Sequence, residues 1–173
     1  MRKTEFYLKK WQIVKDKTII SKARGYLEKA RYNLATLEIL DKINFNKSAR
    51  KLLGIPDSYD SNEWVVICGY YAMYTAALAL SAKIGFRSKN HSATLVILEE
   101  YFVKKKHLSE KDLLLIKNAQ FHKEEIDKIS DARHKREIAQ YSITKQTTKV
   151  ISERIKKDAY DFVNKCEEIL GDD

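Results

Sequence analysis

Hydrophobic residues recur every three or four positions along most of this chain, a spacing that predicts amphipathic α-helices. The first stripe runs through residues 22–43 and the last through residues 145–170. Between them, the pattern predicts helices over 61–84, over 90–103 and from 109 to about 141. No stretch alternates as a strand would, and no internal repeat is found. The pattern therefore predicts an all-α fold, a mostly antiparallel bundle of four to five helices.

Residues that cap or end helices mark several of these boundaries. Gly85 follows the second helix, and glycine readily adopts the backbone conformation that ends a helix. Asn90 or Ser92 is the expected cap of the third helix. Ser109 and Asp112 have the spacing of a capping box, so they predict the start of the fourth.

The most apolar stretch, residues 64–84, is long enough to be considered as a membrane span. It is interrupted by three tyrosines, Thr75, Ser81 and Lys83, and much of the remainder is alanine. Alanine keeps a helix thin, so neighbouring helices can approach closely. A buried central helix therefore explains this stretch better than a membrane helix does, and we expect no membrane association.

Residues 1–20 interleave basic and aromatic side chains. They predict a short helix or arm, partly docked through Phe6, Tyr7 and Trp11, ahead of a helical bundle domain over residues 21–173. A basic and aromatic arm can bind single-stranded nucleic acid by base stacking and phosphate contact. An amphipathic cap over the bundle would have the same composition, so the sequence leaves both interpretations open.

The two cysteines predict neither a metal site nor a disulfide framework. Cys68 lies in the apolar run and Cys166 on the stripe of the last helix, so each is expected to be a small core residue. Because no Cys pair or Cys/His cluster has metal-ligand spacing, we expect no metal and no cofactor. The N-terminus lacks the apolar core of a signal peptide, and we expect a cytoplasmic protein.

The chain is strongly basic. Its 33 Lys and Arg residues against 24 Asp and Glu residues give a net charge of +9. This balance favours an acidic partner, with nucleic acid or a nucleotide first. A surface rich in Lys, Glu and Arg, of the kind found in thermophilic proteins, would also give it, and charge alone does not separate the two.

The segment over residues 131–142, DARHKREIAQYS, holds the strongest candidate chemistry. It groups Arg133, His134 and Arg136 with Tyr141, and on a continuing helix Arg136 and Tyr141 lie on roughly the same side. A guanidinium beside a phenol suits contacts to a phosphate and a base. We therefore predict that these four residues bind a ligand, although an ordinary solvated helix end could carry them too.

Three segments of the chain together resemble the HEPN (higher eukaryotes and prokaryotes nucleotide-binding) superfamily. They are GYYAMYTAALAL over residues 69–80, SKNHSATLVILEEYFV over residues 88–103, and an R-x-x-A-x-Y sequence formed by Arg136, Ala139 and Tyr141. Their order is similar to that of a small prokaryotic HEPN branch with a YYAMF-like helix, an SKTHS-like turn and an R-x-x-A-D-Y-G-like end. The resemblance covers about residues 22–170.

The resemblance implies a bundle of four or five helices that pairs as a symmetric homodimer. In active HEPN ribonucleases, an R-x4–6-H motif from both subunits lines one cleft. The arginine binds the scissile phosphate, and the histidine helps the RNA 2′-hydroxyl to attack without a metal. Other HEPN proteins partner a minimal nucleotidyltransferase as a toxin–antitoxin pair. We therefore expect a nucleotide-binding or RNA-binding protein that acts with a nucleotidyltransferase partner.

The chain departs from the ribonuclease motif where the histidine is expected. Arg136 matches the arginine, but Tyr141 follows five residues later, and Gln140 and Ser142 replace the Asp and Gly of the branch. A phenol with a pKa of about 10 is a poor general base at neutral pH. It can still donate a hydrogen bond to phosphate. A metal-independent endoribonuclease, with Arg136 and Tyr141 as its catalytic residues, is therefore the alternative.

His91 lies in the SKNHS turn. It could form hydrogen bonds at the start of a helix, or it could reach the cleft as a ligand-binding residue and supply the missing imidazole. Tyr70, Tyr71 and Tyr74 could stack on a base. In an alanine-rich helix, packing in the core or at a dimer interface is the stronger expectation for these tyrosines.

Overall fold

The structure of the chain is a computed structural model that describes residues 3–135 and 141–171, with side chains for 3–128 and 148–171. This part of the chain is mostly helical, so the predicted fold class is confirmed. It also contains two short strands, which the sequence pattern did not predict. Each strand has only three residues, too few for an alternation of apolar and polar positions to be recognised.

Most helix boundaries lie close to those that the hydrophobic pattern predicts, but the last helix begins at Tyr141 rather than at residue 145. Tyr141 therefore starts the last helix, whereas the pattern predicts that it ends the fourth. In chain order the elements are α1 (Lys3–Lys9), β1 (Ile13–Lys15), a 3-10 helix (Lys17–Lys22), α2 (Ala23–Phe45), α3 (Lys47–Leu52), α4 (Asn62–Lys83), β2 (Phe86–Ser88), α5 (His91–Leu98), a π-helical turn (Glu99–Val103), α6 (Glu110–Lys135) and α7 (Tyr141–Gly171). The predicted third helix is therefore an α-helix that continues as a π-helical turn.

The α4 helix is the centre of the bundle. It packs against α2, α5, α6 and α7, and its Ala72, Ala76 and Ala79 are fully buried. A Cβ atom added to Gly69 would lie 2.6 Å from Cγ2 of Ile155 on α7, so the glycine permits close contact between these helices. By length and composition α4 could cross a membrane, but 72% of its apolar window is buried inside the fold.

Buried polar groups hold the start of α4 against α2 and α7. The Asn62 Oδ1 atom accepts hydrogen bonds from Ser152 Oγ at 2.8 Å and from Asn44 Nδ2 at 3.3 Å. The Ser61 hydroxyl donates to the Leu40 carbonyl at 2.7 Å. At the other end of α4, Lys83 Nζ donates to a carbonyl near the end of α7. The α4 and α7 helices therefore run parallel, whereas α2 runs antiparallel to both.

Two predicted helix starts have the expected caps. The Asn90 Oδ1 atom accepts from the Ala93 amide at 2.8 Å, so Asn90 rather than Ser92 caps α5. At α6, the Ser109 amide donates to Asp112 Oδ2 at 2.7 Å, and the Asp112 amide donates to Ser109 Oγ at 3.3 Å. This reciprocal pair is a capping box with Asp in the position usually held by Glu.

The N-terminal segment docks through Tyr7, as predicted, and through Ile13, which the sequence pattern did not single out. The β1 and β2 strands pair antiparallel, with Ile13 opposite Ser88. The Ile13 side chain is 1% exposed and packs in a small core with Phe86 and Ile97, where Tyr7 also contacts it. Trp11, in contrast, is 72% exposed. The prediction that Trp11 docks the segment is therefore wrong, and Ile13 provides the main apolar anchor.

Candidate functional site

The structure describes one of the predicted ligand-binding residues, His91. The other four, Arg133, His134, Arg136 and Tyr141, lie outside the residues whose side chains it describes. The described part of the site is therefore built from His91 and from the residues that surround it on α4 and α6. We call this group, which comprises Tyr70, Tyr71, Tyr74, His91, Lys123 and Glu124, the tyrosine–histidine cluster.

Tyr70 and His91 form the contact at the centre of the cluster. The Tyr70 hydroxyl lies 2.5 Å from His91 Nδ1 and 3.3 Å from its Nε2 atom. Tyr70 is 2% exposed, whereas His91 is half-buried. The buried phenol on α4 thus fixes the orientation of an imidazole whose remaining edge can reach solvent.

Burial shifts the acid–base behaviour of both groups. Desolvation raises the pKa of Tyr70 far above its ordinary value, so the phenol keeps its proton. Burial also lowers the pKa of His91, while Glu124 opposes this shift and Lys123 adds to it. The imidazole is therefore neutral at neutral pH. A protonated phenol that donates to Nδ1 leaves the imidazole proton on Nε2.

The neighbouring tyrosines extend the cluster into an aromatic surface. The rings of Tyr70 and Tyr74 are nearly parallel, with centroids 6.0 Å apart. The Tyr74 ring lies 4.2 Å from the imidazole of His91, and the Tyr71 ring lies 5.1 Å from that of Tyr70. Tyr71 is 40% exposed. Of the three tyrosines, Tyr70 is a core residue as expected, whereas Tyr71 is available to a ligand.

The α6 helix brings two charges toward these rings. Lys123 forms an ion pair with Asp127, and this hydrogen bond is the main reason that the pKa of Lys123 is raised. The Glu124 carboxylate accepts from Gln120 Nε2 at 2.9 Å. A phosphate beside Tyr71 would compete with Asp127 for the Lys123 ammonium group, and Glu124 provides a hydrogen-bond acceptor near the imidazole.

Sequence reasoning did not single out Lys123 and Glu124. A usable signal was present for Lys123, which lies seven residues after Ile116 and four after Ala119. Both of those residues are buried, so Lys123 occupies the apolar stripe of α6. A lysine at such a position is unexpected unless its head group has a partner or a function.

A second cleft in the described part of the chain is lined by Phe45, Arg50, Tyr59 and Lys149, among others. Its arginine is already used by the fold. The Arg50 guanidinium donates to the carbonyl oxygens of Ile43, Asp57 and Tyr59 at 2.7–3.0 Å. These contacts hold the loop before α4. The donor groups of Arg50 are therefore already engaged, and we expect this cleft to bind an anion less well than the tyrosine–histidine cluster does.

Within the described ranges, no group of His, Cys, Asp and Glu side chains could hold a metal ion. Both cysteines are free. Cys166 is buried as expected, and Cys68 is half-buried, where desolvation raises its pKa. A raised pKa disfavours the thiolate, so Cys68 is a poor nucleophile at neutral pH.

Comparison with protein-family models, with curated proteins and with solved structures finds no match for this chain.

Proposed function

We propose that this chain is an HEPN-like protein that binds a nucleotide or RNA, with the tyrosine–histidine cluster as part of the binding cleft. One observation carries the proposal. Tyr70 belongs to the GYYAMY segment and His91 to the SKNHS segment, and the two are joined by a hydrogen bond. Two of the three segments that resemble HEPN proteins thus meet in the fold, at a partly exposed aromatic surface.

The side chains of the cluster suit a nucleotide. Tyr71 is exposed enough to stack on a base, and aromatic stacking contributes roughly 1–3 kcal/mol per base in single-strand binding. Lys123 would contact phosphate, and so would Arg136, which the sequence predicts to be a ligand-binding residue. The His91 Nε2–H group would donate a hydrogen bond to a phosphate or to a base edge.

Exposed apolar side chains support the proposed homodimer. Leu114 and Phe121 lie seven residues apart on α6, so they occupy one face of that helix, and Trp64 is exposed on the neighbouring α4. These three side chains are between 53% and 57% exposed. A second copy of the chain that packed on these neighbouring helices would remove this apolar surface from water.

The proposed protein partner is a minimal nucleotidyltransferase. This part of the proposal rests on the sequence resemblance alone. A nucleotidyltransferase gene next to the gene for this chain, together with co-purification of the two proteins, would support it. A chain that purifies alone when both genes are expressed together would count against it.

The second candidate function is a metal-independent endoribonuclease, and the neutral imidazole of His91 favours it. To act as the base, the imidazole would have to carry its proton on Nδ1 and donate it to the Tyr70 oxygen, which leaves Nε2 free to accept the proton of the RNA 2′-hydroxyl as that oxygen bonds to phosphorus. The bond from phosphorus to the 5′-oxygen then breaks, and this oxygen takes up the proton that the imidazole has accepted. The products are a 2′,3′-cyclic phosphate and a 5′-hydroxyl, and Arg136 would stabilise the charge on the phosphoryl oxygens.

A titration of fluorescein-labelled single-stranded RNA, followed by fluorescence anisotropy at several salt concentrations, tests the proposal. We expect saturable binding that weakens with salt, and weaker binding for Arg136→Ala and Tyr71→Ala. The matched controls are Arg154→Ala, which removes an arginine of the exposed face of α7, and Tyr32→Ala, which removes an exposed tyrosine of α2. Absence of binding at low salt would contradict the proposal. Cleavage in the presence of chelator would favour the second candidate.

A further inference from the structure

Another described surface where an exposed aromatic ring lies in a basic segment is that around Trp11. Trp11 is 72% exposed. Its φ angle is +57°, in the left-handed region that residues other than Gly, Asn and Asp seldom adopt. The energetic cost of this backbone conformation is not offset by burial of the indole, because the ring lies largely in solvent. Strained residues of this kind occur preferentially where a side chain is held for a function.

The backbone on either side holds Trp11 firmly. Its amide donates to the Leu8 carbonyl at 3.0 Å, and the Gln12 amide donates to the Tyr7 carbonyl at 3.0 Å. Two residues after Trp11, Ile13 enters the β1–β2 ribbon and is buried. The indole is therefore presented by the rigid junction between α1 and β1.

Positive charge surrounds this junction. Residues 3–24 contain seven Lys or Arg residues, and their only acidic residues are Glu5 and Asp16. The Lys10 ammonium group lies 4.3 Å from the centre of the Phe6 ring. Lys89 is exposed, and its amide donates to the Gln12 carbonyl at 2.9 Å, directly beside Trp11 along the chain. Asp16 is already paired with Arg87 at 2.8 Å.

The geometry points to a binding surface for single-stranded nucleic acid, with Trp11 stacking on a base while Lys10 and Lys89 contact phosphates. Single-strand binding sites combine these two elements, a solvent-exposed aromatic platform and a basic track for the backbone. We call this group, Lys10, Trp11 and Lys89, the tryptophan surface. It carries no residue of the tyrosine–histidine cluster.

The tryptophan surface also adjoins the proposed cleft. Lys89 lies two residues before His91, so the Cα atoms of Trp11 and His91 are at most about 17 Å apart. One RNA strand could therefore contact both. In that case the inference rests on the proposed function for its ligand class, and the tryptophan surface would lengthen the footprint of the same strand.

A lipid surface fits these residues less well. The apolar neighbours Ile13 and Phe86 are buried in the small core of the β1–β2 ribbon. What remains exposed beside the lysines is the indole ring and part of the Phe6 ring, whereas membrane binding through an interfacial segment requires a broad apolar face. An exposed indole flanked by lysines instead suits a nucleic-acid strand, in which the base stacks on the indole and the adjacent phosphates contact the lysines.

Trp11→Gly is the decisive variant because glycine adopts a positive φ angle without strain. We expect the variant to melt at the wild-type temperature or above it. Its affinity for a single-stranded RNA of about 12 nucleotides should fall by between about 5-fold and about 150-fold, the equivalent of one lost stacking contact. The matched control is Tyr32→Ala, since Tyr32 is 71% exposed on another helix, and it should bind as the wild type does.

A second measurement uses the fluorescence of Trp11 itself. The chain has two tryptophans, so in Trp64→Phe the indole emission comes from Trp11 alone. The single-stranded RNA should quench this emission, whereas the same sequence as a duplex should quench it far less, since paired bases are not free to stack. In Lys89→Gln, the affinity for RNA should depend less steeply on salt concentration, by the amount that corresponds to the loss of about one phosphate contact.

The outcomes separate this inference from the proposed function. Wild-type affinity in Trp11→Gly, with binding still lost in Arg136→Ala, would overturn the tryptophan surface and leave the proposed cleft in place. Quenching of Trp11 by RNA without any effect of Arg136→Ala or Tyr71→Ala would support the tryptophan surface and contradict the cleft. Quenching by anionic lipid vesicles but not by RNA, or a change in oligomeric state in Trp11→Gly, would also overturn the inference.

Discussion

The Tyr70 hydroxyl lies 2.5 Å from the Nδ1 atom of His91, although the two residues are 21 positions apart in the chain. Tyr70 is buried in the central helix, and His91 is the first residue of α5. The hydrogen bond therefore links the core of the bundle to a half-buried imidazole. Since burial keeps the phenol protonated and the imidazole neutral, the phenol can donate to Nδ1, an arrangement that places the imidazole proton on Nε2.

Replacing Tyr70 by Phe should release the imidazole from this arrangement. In the wild type we expect the ¹⁵N chemical shifts of His91 to indicate a proton on Nε2, and in Tyr70→Phe we expect the preference for this tautomer to weaken. The variant should also lose roughly 1–2 kcal/mol of unfolding free energy, because Nδ1 then lacks its partner in a partly buried site. Tyr32→Phe, which alters an exposed phenol, is the control. An unchanged tautomer in Tyr70→Phe would contradict this account of the pair.

The lowered pKa of His91 makes stability depend on pH in a defined direction. The unfolded chain has a histidine pKa of about 6.5, above that of the folded state, so the unfolded state binds more protons in this range. Stability should therefore fall as the pH is lowered through about 6.5. His91→Gln has no imidazole to titrate. When the pH is lowered, the melting temperature of the wild type should therefore fall more than that of the variant. A constant gap between the two melting temperatures would contradict the prediction.

Close packing between α4 and α7 predicts a strong effect at Gly69. A Cβ atom there would lie 2.6 Å from Ile155 Cγ2 and 3.3 Å from Leu37 Cδ1, so Gly69→Ala should cost about 1–3 kcal/mol in urea unfolding. Gly25→Ala is the matched control, because nothing lies within 4 Å of its Cβ position and it sits in α2. There alanine should be neutral or stabilising by up to about 1 kcal/mol. Equal effects at the two glycines would contradict the packing argument.

The proposed dimer predicts a change in assembly when the exposed face of α6 is charged. Phe121→Glu should shift the molecular mass in light scattering from two chains toward one, since a buried carboxylate opposes an apolar interface. Phe121 is 57% exposed, so the folded single chain should tolerate the change. Tyr32→Glu on α2 is the control and should keep the wild-type mass. A single-chain mass for the wild type would remove the dimer from the proposal.

Local signals in the sequence predicted the helices well. The alanine-rich run predicted α4 to within about a residue, and Asn90 and the Ser109–Asp112 pair mark the starts of α5 and α6. These features depend on residues within one turn of each other. The β1–β2 pairing joins segments about seventy residues apart, with Ile13 opposite Ser88, and three-residue strands carry no periodic signal.

The candidate site was predictable only in part for the same reason. The sequence selected His91 and the three tyrosines, but whether His91 would reach the tyrosines depends on the turn between α4 and α5. Lys123 belongs to the cluster because α6 packs on α4, and its position on the apolar stripe of α6 does not specify which helix that stripe faces. The position of Trp11 was mispredicted because its neighbour Ile13, rather than the larger indole, takes the buried place.

The most direct test of the central claim is an NMR titration of the chain with AMP and then with the single-stranded RNA, following the imidazole of His91 and the ring of Tyr71. The account predicts saturable shifts at both residues, no matching shift at His107, and loss of the response in Arg136→Ala. If His91 and Tyr71 stay unchanged at saturating RNA, or if His107 shifts as much, the tyrosine–histidine cluster is not the binding site.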